Sequence, residues 1–458
     1  MPSESEKKDI KILLVATAIL FIVSLFMVFG GVYMQDILHV NKAPLLLGIV
    51  AGILLAIPLE LWNFSDPDTL YRIMAFQDRF MFVCFGFAIG LGAILLYALN
   101  LIVPSPNFGI KDFFIPGIII GGIIFGAGVG VAGYFPGTVW IGLGQGRRDA
   151  IWALLGGLLG AFTWSVIFGP AKAFFWNTLN YGPITWASIF GITSKIGIFG
   201  VALIFGIILL LIFLILPRYP GEKVKDSCGS HILGLSKNVV RFDDLIKEEK
   251  EKYPNARSFV TRITNESSIW NARYVIWLGA EFTIAAVAVI ILHQIFGEST
   301  TYSWIGAQLS YLANPTWAAS NPYFELFGGL HIINGVAVNN PFSEIGWEPF
   351  SDLGTFLGGL ISATIISKRF MKYKSQIPKV WEHRFGTSKS KRAIGAFIGT
   401  YMVLFGARMA NGCASGHILS GNIQMAISSF VFMVVVLLSS WVVLYGMLRL
   451  KINKRGYR

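Results

Sequence analysis

Arg408, Cys413, Ser415, His417 and Ser420 lie within one short stretch, Ala407-Arg-Met-Ala-Asn-Gly-Cys-Ala-Ser-Gly-His-Ile-Leu-Ser420. Together they offer a guanidinium, a thiol, hydroxyls and an imidazole. Such a set suits the passage of a small sulfur-containing anion. The cation attracts the charge, and the thiol is a weak, polarizable donor matched to a soft sulfur atom. The set is too small for a zinc site, and Cys/His dyads are built in space rather than in sequence. No catalytic residue, metal ligand or cofactor is therefore assigned. A buried, inert cysteine is the plainer reading of a lone thiol. Arg408 is harder to dismiss. It sits inside an apolar stretch, where a cation costs several kcal/mol unless paired or hydrated, and such residues usually serve function. Glu60, Glu281, Glu325, Glu344 and Asp352 are candidate partners, and the sequence does not choose among them.

A second stretch has the same build. Phe125-Gly-Ala-Gly-Val-Gly-Val-Ala-Gly-Tyr-Phe-Pro-Gly-Thr138 parallels Phe405-Gly-Ala-Arg-Met-Ala-Asn-Gly-Cys-Ala-Ser-Gly-His417. Setting Phe135 opposite Cys413 brings Gly128 onto Gly406 and Ala132 onto Ala410. One extra residue after Cys413 then aligns Gly137 with Gly416. Each element is a glycine-striped helix, a turn of small residues and a further apolar helix. Paired elements of this kind are typical of transporters, whose sites form where broken helices meet. If the turns dip into the membrane, their free N–H groups and the helix N-termini behind them form anion sites. Tyr134, Phe135 and Thr138 in the first turn, and Cys413, Ser415, Gly416 and His417 in the second, are then pathway residues, with Arg408 beside them. Gly122, Gly126 and Gly130 recur every four residues, as do Gly156 and Gly160, and allow close helix packing.

The elements that must carry these turns are membrane helices. Of 458 residues, 54% are hydrophobic and 14% are charged, with a mean hydropathy of +0.64. Soluble domains carry about 25% charged residues. That balance excludes a soluble enzyme, a disordered chain and a secreted disulfide scaffold. The net charge of +12 points to loops facing anionic lipid rather than to nucleic acid. The three cysteines are too few for a disulfide framework; Cys84 reads as core and Cys228 as an incidental thiol. Gly142-Leu-Gly-Gln-Gly146 lacks the Lys-Ser/Thr of a phosphate loop.

Ten apolar stretches approach the ~20 residues needed to span a bilayer: 12–34, 44–63, 80–103, 112–134, 150–176, 195–216, 272–296, 353–370, 391–412 and 424–448. The expected fold is an all-α polytopic membrane protein in two halves, 1–216 and 271–458. A charge-mixed cytoplasmic linker, 217–270, joins them. The first stretch reads as a retained span rather than a signal peptide. Basic residues crowd 368–392 and the C-terminal tail, whereas 298–322 has none. This places both termini and 368–392 in the cytoplasm of a plasma (inner) membrane protein and 298–322 outside.

Three segments resemble the YeeE/YedE family of membrane proteins, associated with uptake of sulfur compounds, thiosulfate in particular. They are Phe405–Gly421, Trp347–Leu360 and Ala132–Thr138 with Gly144–Asp149 after it. The resemblance covers most of both halves but not 217–270. It implies an hourglass of spanning and short re-entrant helices, with cysteines near the constriction passing the anion along by thiol hydrogen bonds. Cys413 matches one such cysteine, with Ser415, Gly416 and His417 in its turn. At Phe135 the family pattern has cysteine. The aromatic removes a sulfur donor and adds bulk, and Tyr134 and Thr138 are the hydroxyls left to compensate.

Transport of a small sulfur anion, with thiosulfate the leading substrate, is the expected function, and no enzymatic activity is expected. Two other readings use the same residues. In one, Cys413 carries a persulfide and hands sulfur to a cytoplasmic acceptor protein. In the other, Phe135 marks a subunit that scaffolds a sulfur-oxidising complex without transporting.

Overall fold

A computed structural model describes residues 4–36, 44–102, 108–216, 273–293, 295–341, 347–371 and 377–448. The polar segment 217–270 with Cys228, Glu344 and the basic C-terminal tail lie outside the described residues.

The chain is helical almost throughout. In order it forms α1 (Glu4–Asp36), α2 (Leu46–Leu61), α3 (Pro67–Met74), α4 (Phe80–Ile102), α5 (Ile115–Ala132), α6 (Pro136–Gly144), α7 (Asp149–Lys172), α8 (Trp186–Ile189) and α9 (Lys195–Ile215). After the linker come α10 (Arg273–His293), α11 (Thr300–Ala313), α12 (Pro315–Ser320), α13 (Pro322–Gly328), a hairpin of β1 (Leu330–Ile333) and β2 (Val336–Asn339), α14 (Glu348–Ile361), α15 (Lys379–Phe385), α16 (Lys389–Met409) and α17 (Ile427–Met447). The hairpin pairs Leu330 with Asn339 and Ile333 with Val336 around Asn334-Gly335, both left-handed. Nothing in the hydropathy announced it.

All ten apolar stretches form helices, but among the described residues only seven candidate spans have the length and hydropathy to cross a bilayer. The protein is thus an all-α multi-pass membrane protein with three less typical helices. α2 is 16 residues long. The described apolar part of α10 is Leu278–His293. α16 has Arg392 and Arg408 near its ends, and these lower its hydropathy.

The glycine stripes are where helices meet. α5 and α16 pack antiparallel through glycine. A Cβ added at Gly121 would lie 2.7 Å from the Gly406 carbonyl oxygen, and one at Gly128 would lie 2.5 Å from that of Gly399. These contacts are mates: the alignment that puts Gly128 on Gly406 puts Gly121 on Gly399, so each contact maps onto the other. The flanking packing follows the same rule. α7 lies on α16 through Gly156 and Gly160, and α17 lies on α5 through Gly122, Gly126 and Gly130. An approximate twofold axis therefore runs between α5 and α16.

One end of this pair is tied by buried charge. Asp149 accepts from Arg392 Nη2 at 2.8 Å and Nε at 3.1 Å, and pairs with Arg147 at 3.3 Å. Arg392 also donates to the Tyr71 hydroxyl and the Ala132 carbonyl, and Arg147 to Tyr134 and Asp66. Removing one partner of such a buried network typically costs about 3–5 kcal/mol, because the remaining charges stay buried and unpaired. Asp149→Asn is accordingly expected to lower the midpoint of thermal unfolding in detergent by several degrees. An unchanged midpoint would show that the two arginines find other partners.

Candidate functional site

Both central helices stop in the same way. α5 ends at left-handed Gly133 (φ 68°) and α16 at left-handed Asn411 (φ 53°), positions matched by the alignment. A left-handed residue closes a helix by returning an N–H to the last carbonyls: Gly133 donates to Val129, and Gly412 to Ala407. The chain then doubles back and starts a second helix. After Gly133 this is α6, opened by Phe135-Pro136; after Asn411 it is a π-helical turn over Ser415–Gly421. Wide turns of this kind gather at functional sites.

Arg408, on the last turn of α16, is buried at 2% exposure. Of the carboxylates proposed from sequence, the described ones, Glu60, Glu281, Glu325 and Asp352, do not hold it. Its Nε donates to the Tyr323 hydroxyl at 2.5 Å, and its Nη1 to Ser299 and Thr300, each at 3.0 Å. The guanidinium lies over the rings of Phe327 and Tyr323, a favourable place for a partly desolvated cation. Its Nη2 has no partner among the described residues. The other acids have separate duties. Glu60 accepts from Gln145, Ser362 and Ser367 and pairs with Arg369, and Glu281 accepts from Ser24.

A cavity of about 70 Å³ opens beside Arg408, lined among others by Lys111, Ser299, Thr300, Glu348, Cys413 and Gly416. Lys111 reaches in from the segment before α5 and donates to the Asn411 carbonyl at 2.7 Å. Ser428 holds the Lys111 carbonyl at 2.8 Å. Glu348 accepts from the Thr300 N–H at 2.6 Å and covers Gly297, where any side chain would collide with it. Two cations against one carboxylate leave the cavity positive.

The Cys413 thiol borders this cavity and lies 3.1 Å from Ser415 Oγ. His417 does not line it. One ring nitrogen faces the Ala410 carbonyl at 3.0 Å, and the other meets Ser429 Oγ at 3.1 Å. A carbonyl only accepts, so Nε2 carries a proton and clamps the turn to the end of α16. The ring also stacks on Phe432 at 4.6 Å.

Behind Ser415 lies a second chamber of about 130 Å³, walled by Phe64, Phe82, Phe85 and Phe282. Phe135 and Thr138 face it. Phe135 sits in an aromatic row, 5.7 Å from Phe64 and 5.8 Å from Phe125, which in turn meets Phe432. Thr138 is turned back on its own helix start, bonded to the Phe135 N–H and carbonyl. Tyr134 lines neither cavity, its hydroxyl being held by Arg147 at 2.9 Å. The residues expected from sequence thus divide. Arg408, Cys413 and Gly416 share the polar cavity; Ser415, Phe135 and Thr138 border the apolar chamber; His417 and Tyr134 brace the turns.

Sequence reasoning missed Lys111, Ser299, Thr300, Glu298 and Glu348. A signal existed for most of them: Lys111 stands directly before the apolar stretch 112–134, Glu348 a few residues before 353–370, and Glu298-Ser-Thr-Thr301 is a polar run in a chain poor in them.

The profile of the sulphur-transport family matches residues 63–442, spanning both helix breaks and the residues named above as lining the polar cavity. The chain belongs to that family. Thiosulfate transporter TsuA of Spirochaeta thermophila is 23% identical over 416 residues, covering 88% of this chain and 98% of that protein. The sulphur-transport assignment and this relative both describe transporters rather than enzymes. They fit a membrane protein that carries a small sulfur-containing anion.

Proposed function

We propose that this family member takes up thiosulfate through the polar cavity, binding it between Arg408 and Lys111 with its outer sulfur against Cys413. The carrying observation is the unpartnered Arg408 Nη2 beside a positive cavity that also reaches the Cys413 thiol. A buried guanidinium with an unused donor is costly unless an anion takes it. The Ser299 and Thr300 hydroxyls add donors, and Ser415 orients the thiol. With the basic 368–392 segment in the cytoplasm, α16 begins inside and the Arg408 cavity faces outward, the direction needed for uptake. Both termini are then cytoplasmic, and the chain divides into halves at the 217–270 linker.

Labelled thiosulfate offered to proteoliposomes tests this reading. Uptake above protein-free vesicles is expected, and folded protein giving none would refute it. Cys413→Ala should slow uptake about tenfold, the worth of one hydrogen bond of ~1.4 kcal/mol. Mass spectrometry of the same vesicles should find the Cys413 thiol unmodified. A persistent added sulfur atom would instead favour a relay to an acceptor protein.

A further inference from the structure

Glu298 lies in the loop between α10 and α11, outside the candidate spans, yet it is 6% exposed. Its carboxylate lies flat against Gly137 at the start of α6, so closely that any side chain on Gly137 would collide with it. It is also hydrogen-bonded to Ser415, at the start of the π-helical turn, and accepts from Thr355 Oγ1 at 3.3 Å. Both re-entrant helices therefore begin at this one carboxylate. The N-terminus of the nine-residue α6 attracts anions, so Glu298 occupies the place a passing anion would take there. It also borders the apolar chamber together with Ser415, whereas Cys413 lines the polar cavity.

A second acid faces the same point. Asp352, 1% exposed, stands one turn before Thr355 on α14, with the Thr301 hydroxyl as its hydrogen-bonding neighbour. Among the described residues neither Glu298 nor Asp352 has an ion-pair partner. The charged and titratable groups around the pair are Glu348 on α14, Tyr302 on α11 and Cys413 in the re-entrant turn. Lys111 is matched to Glu348, and Arg408 to its hydroxyls and rings. Two adjacent buried carboxylates without a cation cannot both stay ionised; they hold a proton between them.

We propose that Glu298, backed by Asp352, is a proton-binding site that couples anion uptake to proton entry. This rests on the thiosulfate reading above and adds its driving ion. As a carboxylate, Glu298 repels the anion from the start of α6. Taking a proton from the outer cavity removes that charge, and the anion passes. The proton then leaves Glu298 toward the inner side, and the carboxylate returns. Each cycle carries at least one proton inward with each anion, and no bond other than O–H is made or broken. Burial, with Glu348 nearby, raises the Glu298 carboxyl well above its usual range against its hydrogen bonds to Ser415 and Thr355.

The test uses the full chain in vesicles holding a pH-sensitive dye, with the membrane potential clamped at zero. With the outside one pH unit more acid, the wild type should accumulate labelled thiosulfate up to about tenfold per coupled proton. The dye should report acidification in step with uptake. Glu298→Gln should only equilibrate thiosulfate, with no accumulation and no thiosulfate-dependent dye signal. Wild-type uptake that ignores the pH gradient overturns the coupling while leaving the thiosulfate reading intact. So does a Glu298→Gln protein that still accumulates. Folded wild type that takes up nothing overturns both. A measurement on unmodified protein stands apart from any folding defect of the variant. In weakly buffered detergent near pH 7, thiosulfate should cause proton uptake, and no proton uptake on binding overturns the proposal.

Discussion

Arg408→Gln is expected to reduce thiosulfate uptake by about 100-fold or more. Removing one member of a buried, hydrogen-bonded charge contact typically costs about 2–5 kcal/mol, and ~2.7 kcal/mol is already a factor of 100. Here the cation is desolvated, stacked on Phe327 and Tyr323, and has a donor to spare. Glutamine keeps a polar tip within reach of the Ser299 and Thr300 hydroxyls, so the cavity should hold its shape while losing half of its positive charge. The loss should therefore appear in uptake far more than in thermal stability. Arg408→Lys separates charge from geometry. An ammonium keeps the charge but not the planar fork or the ring stacking, so an intermediate rate, about tenfold below wild type, is expected. If the glutamine variant transported within twofold of wild type, Lys111 alone would suffice to bind the anion.

The second large effect is on assembly. Gly128→Val should abolish the folded protein. A Cβ at this position would sit 2.5 Å from the Gly399 carbonyl oxygen and 2.7 Å from the Val403 nitrogen. Both are backbone atoms of a helix, so neither can swing aside as a side-chain tip would. α5 and α16 would have to part by more than an ångström, which also breaks the mated contact at Gly121 and Gly406. Overpacking in an adaptable core costs about 1–3 kcal/mol; against fixed backbone the cost should exceed that range. The expected result is loss of the monodisperse peak on size-exclusion chromatography in mild detergent. Gly200→Ala is the control, because nothing lies within 4 Å of a Cβ there. A Gly128→Val protein that purified normally would mean the helices meet less closely than described.

Much of the fold could be read from hydropathy because each membrane helix must satisfy its own backbone and be apolar over its own length. That is a local property, written in consecutive residues. Hence the helices of all ten apolar stretches were foreseen, and the glycine stripes marked the faces that pack. The failures are those of local reading. α16 carries arginines whose partners lie far along the chain: Asp149 for Arg392, Tyr323 and Ser299 for Arg408. The repeat identified where two helices break, and both breaks occur at matched left-handed residues. It did not reveal which side chains fill the space between the breaks. Lys111, Glu298 and Glu348 are polar residues at or near element ends, where most chains place ordinary caps. Conversely His417 and Tyr134 had the chemistry of pathway residues, and their polar atoms are bonded to the Ala410 carbonyl and Ser429 in one case and to Arg147 in the other. A sequence shows what groups are present; which of them still has an unused donor is decided only after folding.

The mated contacts between α5 and α16 also bear on how such a pathway can change over time. In a dimer of identical subunits every substitution is made twice, so an arginine at one helix end brings another at the other. Here the two elements are encoded separately. The position matching Arg408 is Gly130, and the position matching Cys413 is Phe135. Joining both elements in one chain lets one carry the charge and the sulfur while the other keeps the tight packing and the aromatic row. A scaffold built around a twofold axis thereby acquires two chemically unlike helix breaks, one bearing a guanidinium and a thiol, the other an aromatic ring.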